Sequence, residues 1–376
     1  MNRWLTRLLT VGIGALVGLL LVTSCSSPTP SGADASKEPA APSHSTEATS
    51  PSVSTGESFT LPGGPISIEP VPAVRPVSSQ TKPQLPAKFT DVTGKTHEIA
   101  DTSRILALDI YGTLVETVIA LGEGDKLVGR TSSNTQDELS DLPMVTVGGH
   151  QLNAEAILNL QPTLVIADKT LGPPEVLTQL SEAGVTVVYV DAKRTLAAMP
   201  RMIHDLADIL GVADRGEELA KTANERLNAV TKQIQDKEFD LAEQPTAVFL
   251  YIRGNGSIFF IFGQDSGADD LLTSLGLRDI ASEKGIKDYK PATAEALAEL
   301  SPDVLFVMAS GLESGGGIDA LLKRPGIAQT PAGQHRRIIS LPDGQSLSFG
   351  PSYPDMVEKI SQHAFAGKSD GNKKTP

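Results

Sequence analysis

The sequence of 376 residues has one cysteine, Cys25, and one tryptophan, Trp4, and both lie at the start of the chain. A domain formed by the residues after Cys25 therefore has no disulfide bond and must be stabilised by packing. Basic residues are fewer than acidic ones. From residue 25 onward the chain has 30 basic and 45 acidic side chains, which give a formal charge of −15. This excess of acid argues against a nucleic-acid-binding protein, which shows a basic surface.

The first 24 residues have the pattern of a secretory signal peptide. Arg3 and Arg7 precede an apolar run over residues 8–22, and about 15 residues are fewer than the ~20 needed to span a bilayer. Val-Thr-Ser-Cys follows at once and resembles a bacterial lipobox. We therefore expect lipidation of Cys25, which would anchor the protein to the outer face of the cell membrane. The alternative is simple secretion, in which Cys25 is incidental.

Two further segments have compositions that are typical of unfolded chain. Residues 26–86 contain 12 of the 26 prolines among Ser, Thr, Ala and Gly, and such a stretch buries too little apolar surface to offset its ordering entropy. Residues 25–86 are therefore predicted to form an extended, lipid-anchored tether. The tail at residues 366–376 contains three lysines and no apolar pattern, so we expect it to be disordered.

Apolar runs bounded by turn residues recur after residue 104 and alternate with amphipathic helices. The runs are typical of buried parallel strands and lie at residues 105–108, 163–167, 185–190, 247–252, 304–308 and 338–341. Helical spacing occurs at residues 114–121, 155–160 and 174–183, and a short hairpin is predicted over residues 89–99. This alternation of strands and helices predicts an α/β fold.

Two observations predict that the fold has two Rossmann-like lobes. Residues 198–236 lack a strand-like run and repeat apolar residues at helical spacing, which predicts one long helix joining an N-terminal lobe, residues 87–197, to a C-terminal lobe, residues 237–365. In addition, residues 153–167 match residues 293–307 at five of 15 positions, with Glu155 opposite Glu295. The match indicates a weak duplication, although any helix, proline turn and strand would look similar. Two joined lobes leave a cleft in which a ligand can bind.

Three segments together resemble the substrate-binding proteins of ABC importers for haem, iron-siderophores and cobalamin: residues 104–130, Asn153-Ala-Glu-Ala-Ile-Leu and Gln161-Pro-Thr-Leu-Val-Ile. The resemblance covers residues 87–365 and implies a periplasmic-binding-protein fold with a rather rigid hinge. It also implies permease and ATPase subunits as partners and no catalytic residues. Within the family, Gly148-Gly149-His150 and Leu250-Tyr251-Ile252-Arg253-Gly254 resemble the haemin-binding lipoproteins of actinobacteria.

This resemblance implies that His150 of one lobe and Tyr251 of the other hold the iron of ferric haem, and that Arg253 supports the tyrosine. The residue types suit the role, because a phenolate oxygen is a hard anionic ligand for Fe(III), although an unperturbed tyrosine has a pKa of about 10. Residues 251 and 253 of an extended segment point to the same side, which would bring the guanidinium of Arg253 to the phenolate oxygen. With no cysteine in the folded part, a thiolate cannot hold the iron.

Other residues are expected to contribute to ligand contact or docking. Side chains in loops near the expected cleft that are candidates to contact the porphyrin or its propionates are Tyr111, Arg130, Tyr289 and Tyr353. In the family a glutamate of the first lobe pairs with permease arginines, and Glu155 matches that position. The corresponding second-lobe segment, residues 263–276, lacks a clear glutamate, so Asp269 or Asp270 is the candidate there. Other cell-surface haem-binding proteins are a further class of partner.

Two other functions stand as alternatives. A ferric-siderophore-binding lipoprotein of the same fold would grip an anionic chelate with cleft arginines, and His150 would not touch metal. A secreted phosphatase of the haloacid dehalogenase type would use Asp109, because Leu106-Ala-Leu-Asp109-Ile-Tyr-Gly-Thr113 resembles that superfamily's nucleophile motif, with Asp265 and Asp269 as its metal-binding pair. The strand ends after residues 167 and 190 lack the hydroxyl that this mechanism needs. We therefore expect a non-enzymatic haemin-binding lipoprotein that delivers ferric haem to an ABC importer.

Overall fold

The computed structural model describes residues 59–79, 81–237, 239 and 243–365. The expected signal peptide, the lipidation site Cys25, the first part of the expected tether and the tail at residues 366–376 lie outside these residues. In the part that is described, no helix combines the length and the apolar composition needed to cross a membrane.

The N-terminal lobe is built around a small parallel sheet. Its strands are β2 (Ala87–Thr90), β3 (Thr96–Ile99), β4 (Ile105–Leu108), β5 (Thr146–Val147), β6 (Gln151–Leu152), β7 (Leu164–Ala167) and β8 (Thr186–Tyr189), and its helices are α1 (Thr113–Ala120), α2 (Ala154–Asn159) and α3 (Pro174–Glu182). Within the described residues, β4, β7 and β8 form the sheet with β7 at its centre. β2 and β3 form the predicted hairpin.

Two helices connect the lobes, so the prediction of one inter-lobe helix over residues 198–236 was wrong. The first, α4 (Met199–Leu210), stops at Gly211, and the second, α5 (Ala213–Gln235), follows. Gly211 has a φ of +71°, and a Cβ there would lie 2.6 Å from the backbone oxygen of Gln84. The break therefore requires glycine. The long helix is α5 alone, whose 23 residues extend about 34 Å.

The C-terminal lobe contains the larger sheet. Its strands are β9 (Thr246–Arg253), β10 (Ile258–Phe262), β11 (Arg278–Asp279), β12 (Tyr289–Pro291), β13 (Val304–Met308) and β14 (Ile338–Leu341), and its helices are α6 (Ala268–Ser274), α7 (Ile280–Glu283), α8 (Ala294–Leu300), α9 (Ala309–Ser314), α10 (Gly317–Leu322), α11 (Pro331–Gln334) and α12 (Tyr353–Ala364). The central strands β14, β13 and β9 are parallel, whereas β10 and β12 continue the sheet in antiparallel fashion.

One hydrophobic cluster is shared by the two lobes. Ile105 of β4 and Phe249 of β9 both belong to it, together with buried residues of α4, α5 and α12. Because side chains alternate along a strand, the opposite faces of the sheets pack into separate clusters, with Leu106 in one and Val248 in the other. The described residues accordingly belong to one compact unit. The predicted α/β fold is confirmed, and its lobes are joined through a continuous core.

The described residues between 59 and 86, namely 59–79 and 81–86, pack onto this core, so the tether prediction was wrong for them. The short strand β1 (Ile66–Ser67) pairs in parallel with β14 and extends the larger sheet. Phe59, Ile68 and Val71 are buried. Each is a single apolar side chain among prolines that fills a groove formed by distant elements, so no periodic pattern marks it in the sequence.

We call residues 59–86 the strap, because they contact both lobes. At Val71 the backbone N–H and C=O both bond to the side-chain amide of Gln345, at 2.8 and 3.1 Å. Further along, the N–H of Val77 donates to the carbonyl of Ala120 at the end of α1, at 2.9 Å. The strap thus connects the lobes in addition to α4 and α5.

Candidate functional site

A cavity of about 740 Å³ lies where the two lobes meet. The N-terminal lobe contributes the residues after β4 and the glycine loop between β5 and β6, including Ile110, Tyr111 and His150. The C-terminal lobe contributes the end of β9 and parts of β10 and β13, including Tyr251, Arg253, Phe262 and Met308. The cavity is thus at the carboxyl ends of parallel strands, where α/β proteins commonly bind ligands.

His150 enters the cavity from a glycine loop. Gly148 and Gly149 have φ values of +58° and +93°, and a Cβ on either would meet no atom within 4 Å. These glycines therefore serve the backbone conformation rather than close packing. His150 is half-buried, and its Nδ1 atom is buried without a hydrogen-bond partner among the described residues. Burial, followed by the positive charge of Arg253, lowers the pKa of His150, which favours the neutral imidazole that binds metals.

Tyr251 faces the cavity from the opposite lobe. Its ring is half-buried and stacks on Phe262 of β10, with 5.3 Å between ring centroids and 9° between the planes. Phe262 stacks in turn on Phe249, at 5.8 Å. The three rings form a column on the antiparallel pair β9 and β10. The column fixes the plane of the Tyr251 ring, so its hydroxyl has a defined direction.

Arg253 lies beside Tyr251, as the extended-strand argument predicts, but its hydrogen bonds go elsewhere. The guanidinium carbon is 5.1 Å from the centroid of the Tyr251 ring, which places the cation over the ring. Its Nη2 donates to Oδ1 of Asp343 at 2.6 Å, and its Nη1 donates to the carbonyl of Ile252 at 3.1 Å. In this structure the positive charge is thus paired with a carboxylate.

The other predicted pocket residues divide into one that lines the cavity and three that do not. Tyr111 lines it, and burial raises the pKa of its phenol, so this side chain is neutral. Arg130 is outside the lining and donates from Nε to the carbonyl of Leu142, at 3.2 Å. Tyr289 is 62% exposed on the edge strand β12. Tyr353 was a wrong prediction, because it is fully buried in the shared core and packs on Phe349.

Asp109, the nucleophile of the phosphatase alternative, is buried in an ion cluster behind the cavity. The Oδ2 atom of Asp109 lies 3.3 Å from Nη2 of Arg194 and accepts a hydrogen bond from the N–H of Thr113 at 2.9 Å. Arg194 also pairs with Asp168. Burial raises the pKa of Asp109, and burial together with Asp109 raises that of Asp168 to about 6. Asp109 is 0% exposed, so its carboxylate is out of reach of a substrate in this structure. Among the described residues, no group of three or more acidic, histidine or cysteine side chains is placed to hold a metal.

The expected docking residues differ in exposure. Glu155 is exposed in the first turn of α2, a helix capped by Asn153. Asp270 is not exposed, and its Oδ2 accepts from the N–H of Leu196 at 2.6 Å. Asp269 is also partly buried, with one oxygen inaccessible. Both aspartates are thus less exposed than Glu155, and the second-lobe docking residue stays a prediction.

The structure brings Asp343 and Phe262 to the site, which the sequence did not reveal. The continuous apolar run Ile258–Phe262, directly after the turn that follows β9, was the available signal for Phe262. Asp343 has no comparable signal, because 90 residues separate it from Arg253.

Residues 110–344 match the sequence profile of the periplasmic binding protein family. The match covers more than half of the chain, so this protein belongs to that family, as its sequence predicts. A solved structure, that of the heme binding protein HmuT, is 45% identical, covers 81% of this chain and 98% of its own, and superposes with a TM-score of 0.77. The heme-binding protein RhuT from Roseiflexus sp. RS-1 is 36% identical, with coverages of 69% and 97% and a TM-score of 0.64.

A curated relative is an uncharacterised ABC transporter substrate-binding lipoprotein, YvrC, from Bacillus subtilis. It is 24% identical over 253 residues, which are 66% of this chain and 76% of the relative. HmuT has also been solved as three variants, in which a histidine, a tyrosine and an arginine are replaced. The tyrosine and arginine of that protein are two positions apart, as are Tyr251 and Arg253 here.

Proposed function

We propose that this protein binds ferric haem in the inter-lobe cavity, with His150 and Tyr251 as the iron ligands. The observation that carries the proposal is that these two side chains line one cavity from opposite lobes. The imidazole of His150 and the phenol of Tyr251 would supply one nitrogen and one oxygen donor. The similarity to heme-binding proteins of known structure supports the same ligand.

The rest of the cavity suits a flat, mostly apolar ligand. Ile110, Ile258, Phe262 and Met308 provide apolar walls, which would cover the porphyrin and exclude water from the iron. Arg253 places its guanidinium over the ring of the proposed oxygen ligand, 5.1 Å from the ring centroid. His150 is held in its neutral form by burial and by the charge of Arg253.

A ferric siderophore is less well supported as the ligand. Anionic chelates are bound by free guanidinium or ammonium groups. Of the described residues that line the cavity, Arg253 alone carries a guanidinium, and that group is already paired with Asp343. Among the described lining residues, the cavity therefore has no second arginine or lysine for a chelate.

We further propose that the protein is anchored through Cys25 and delivers haem to an ABC permease through one glutamate on each lobe. Glu295 occupies the position of Glu155 in the internal repeat, and both are exposed in the first turn of their helices. Each helix begins at a capping side chain, Asn153 or Thr293. The side-chain oxygen accepts a hydrogen bond from the backbone N–H of the residue three positions later. Glu295 therefore replaces Asp269 and Asp270 as the second docking residue.

Titration with haemin, followed by absorption spectroscopy, tests the proposed ligand. Wild-type protein is expected to show a saturable shift of the Soret band. Tyr251→Phe keeps the stacking on Phe262 but removes the oxygen donor, so we expect at least about tenfold weaker binding and loss of the tyrosinate-to-iron charge-transfer band. His150→Ala should change the spectrum by removing the nitrogen donor.

Tyr289→Phe is the matched control, because Tyr289 is exposed outside the cavity. Its titration should overlay that of the wild type. If the double variant His150→Ala/Tyr251→Phe binds haemin as tightly as wild type, the ligand assignment is wrong. If no variant, including the wild type, binds haemin, the cavity serves another ligand.

A further inference from the structure

Asp343 is held in place by donors from two other segments of the C-terminal lobe. It follows β14, and its Oδ1 accepts from Nη2 of Arg253 at 2.6 Å and from the hydroxyl of Ser310 at 2.5 Å. Its Oδ2 accepts from the backbone N–H of Ser310 at 2.9 Å. Both carboxylate oxygens are therefore engaged, and the carboxylate links the ends of β9, β13 and β14.

The guanidinium of Arg253 depends on this carboxylate for its position. Its other contacts are the carbonyl of the adjacent residue Ile252 and the sulfur of Met308, at 3.1 and 3.2 Å. The bond to the Ile252 carbonyl does not by itself fix the orientation of the guanidinium. The Met308 sulfur is a thioether, which is a weak hydrogen-bond acceptor. Asp343 supplies the charged partner, and charge-assisted hydrogen bonds of this kind are the stronger and more directional ones.

The guanidinium packs closely against α9 on one side. A Cβ on Gly311 of α9 would lie 2.7 Å from Nη1 of Arg253, so a larger residue would displace the group. The side chains of Arg253 and Asp343 are only 27% and 20% exposed. Water screens a pair with this exposure less than it screens a surface pair.

We propose that Asp343 is a positioning residue, which fixes the Arg253 guanidinium over the Tyr251 ring and thereby sets the charge environment of the proposed iron ligand. The functional part of this inference rests on the proposed haem site, whereas the positional part does not. Without Asp343, the long side chain of Arg253 would sample several rotamers. The guanidinium would then lie over the Tyr251 ring for only a fraction of the time.

Nitrogen-15 NMR of the arginine side chains in haem-free protein tests the positional part. In the wild type, the Nη–H signals of Arg253 should be resolved, because rotation of the guanidinium is restrained by Asp343. In Asp343→Asn and Asp343→Ala we expect them to merge into an averaged signal. Asp319→Asn is the control, since it removes an exposed carboxylate that pairs with Arg336 instead. Unchanged Arg253 signals in both Asp343 variants would overturn the proposal.

A double-variant cycle with haemin tests the functional part. We expect Arg253→Ala to weaken binding about tenfold, and Asp343→Ala to reproduce part of that loss with a similar shift of the charge-transfer band. The variant Asp343→Ala/Arg253→Ala should bind no more weakly than Arg253→Ala alone, because Asp343 acts through Arg253. Additive losses, unchanged binding in both single variants, or tighter binding of Asp343→Ala would overturn the inference. If wild type does not bind haemin, the proposed function fails, and the NMR result still decides the role of Asp343.

Discussion

Glu116 is a buried carboxyl that makes the stability of this fold depend on pH near neutrality. It belongs to α1 of the N-terminal lobe, is 3% exposed, and accepts from the backbone N–H of Ser352, at 2.6 Å, just before α12. Burial raises the pKa of Glu116 from its ordinary value of 4.5 to about 7, although the bonds from Ser352 act in the opposite direction. The negative charges of Asp109 and Asp355 raise this pKa further.

The sign of the effect follows from proton binding. The folded protein holds the Glu116 proton more tightly than the unfolded chain does, so the free energy of unfolding falls as pH rises from 4.5 to about 7. One pH unit is worth about 1.4 kcal/mol. The full loss above pH 7 is therefore about 3 kcal/mol, a substantial part of the stability of an ordinary domain.

Replacing Glu116 by glutamine should remove this pH dependence. The amide oxygen can still accept from Ser352, but the side chain cannot ionise. Measured by urea unfolding, the stability difference between Glu116→Gln and wild type should move by roughly 2 to 3 kcal/mol in favour of the variant between pH 5 and pH 8. Asp109 and Asp168 titrate in both proteins, so their effects largely cancel. Parallel pH profiles for the two proteins would refute the reasoning.

Three further predictions concern the strap, the docking residues and the anchor. Phe59→Ala should lower the free energy of unfolding by about 3 kcal/mol, because the ring is 4% exposed and packs on Phe239 and Phe365. The control is Val92→Ala at an exposed position. Equal effects of the two substitutions on the free energy of unfolding would mean that the strap adds no stability. Charge reversal in Glu155→Lys/Glu295→Lys should abolish haem transfer to permease-containing vesicles while haemin affinity stays unchanged; normal transfer would exclude docking through these residues. Cys25→Ala should release the protein from membranes into the medium, and retention in the membrane fraction would contradict lipidation.

Periodic patterns predicted the regular elements of the fold well. The apolar strands around residues 105, 165, 248, 305 and 339 lie where their composition indicates, because both sheet faces are covered and each strand must be apolar throughout. The strap escaped prediction, since its buried residues are isolated among prolines. The break at Gly211 also escaped it, because the reason for that glycine is the backbone of Gln84, over 120 residues earlier.

The candidate site was predictable to the extent that its residues lie in local motifs. His150 follows two glycines and Tyr251 and Arg253 alternate on one strand, so each segment carries its own signal. Tyr353 was misplaced because a loop tyrosine near a helix start looks the same whether it faces a cavity or the core. The partner of Arg253 was not predicted, because the chain returns to it only after β13 and β14.

The sequence by itself determined the α/β fold, the family and the two segments that present His150 and Tyr251, since periodicity and short motifs depend on neighbouring residues. It also excluded thiolate ligands from the folded part, because the single cysteine precedes it. Only the tertiary structure decided which residues face one another: that the two segments line one cavity, that the charge of Arg253 is held by Asp343, and that the strap joins both lobes. Such pairings depend on contacts between residues far apart in the chain, and these arise only when the sheets and helices pack.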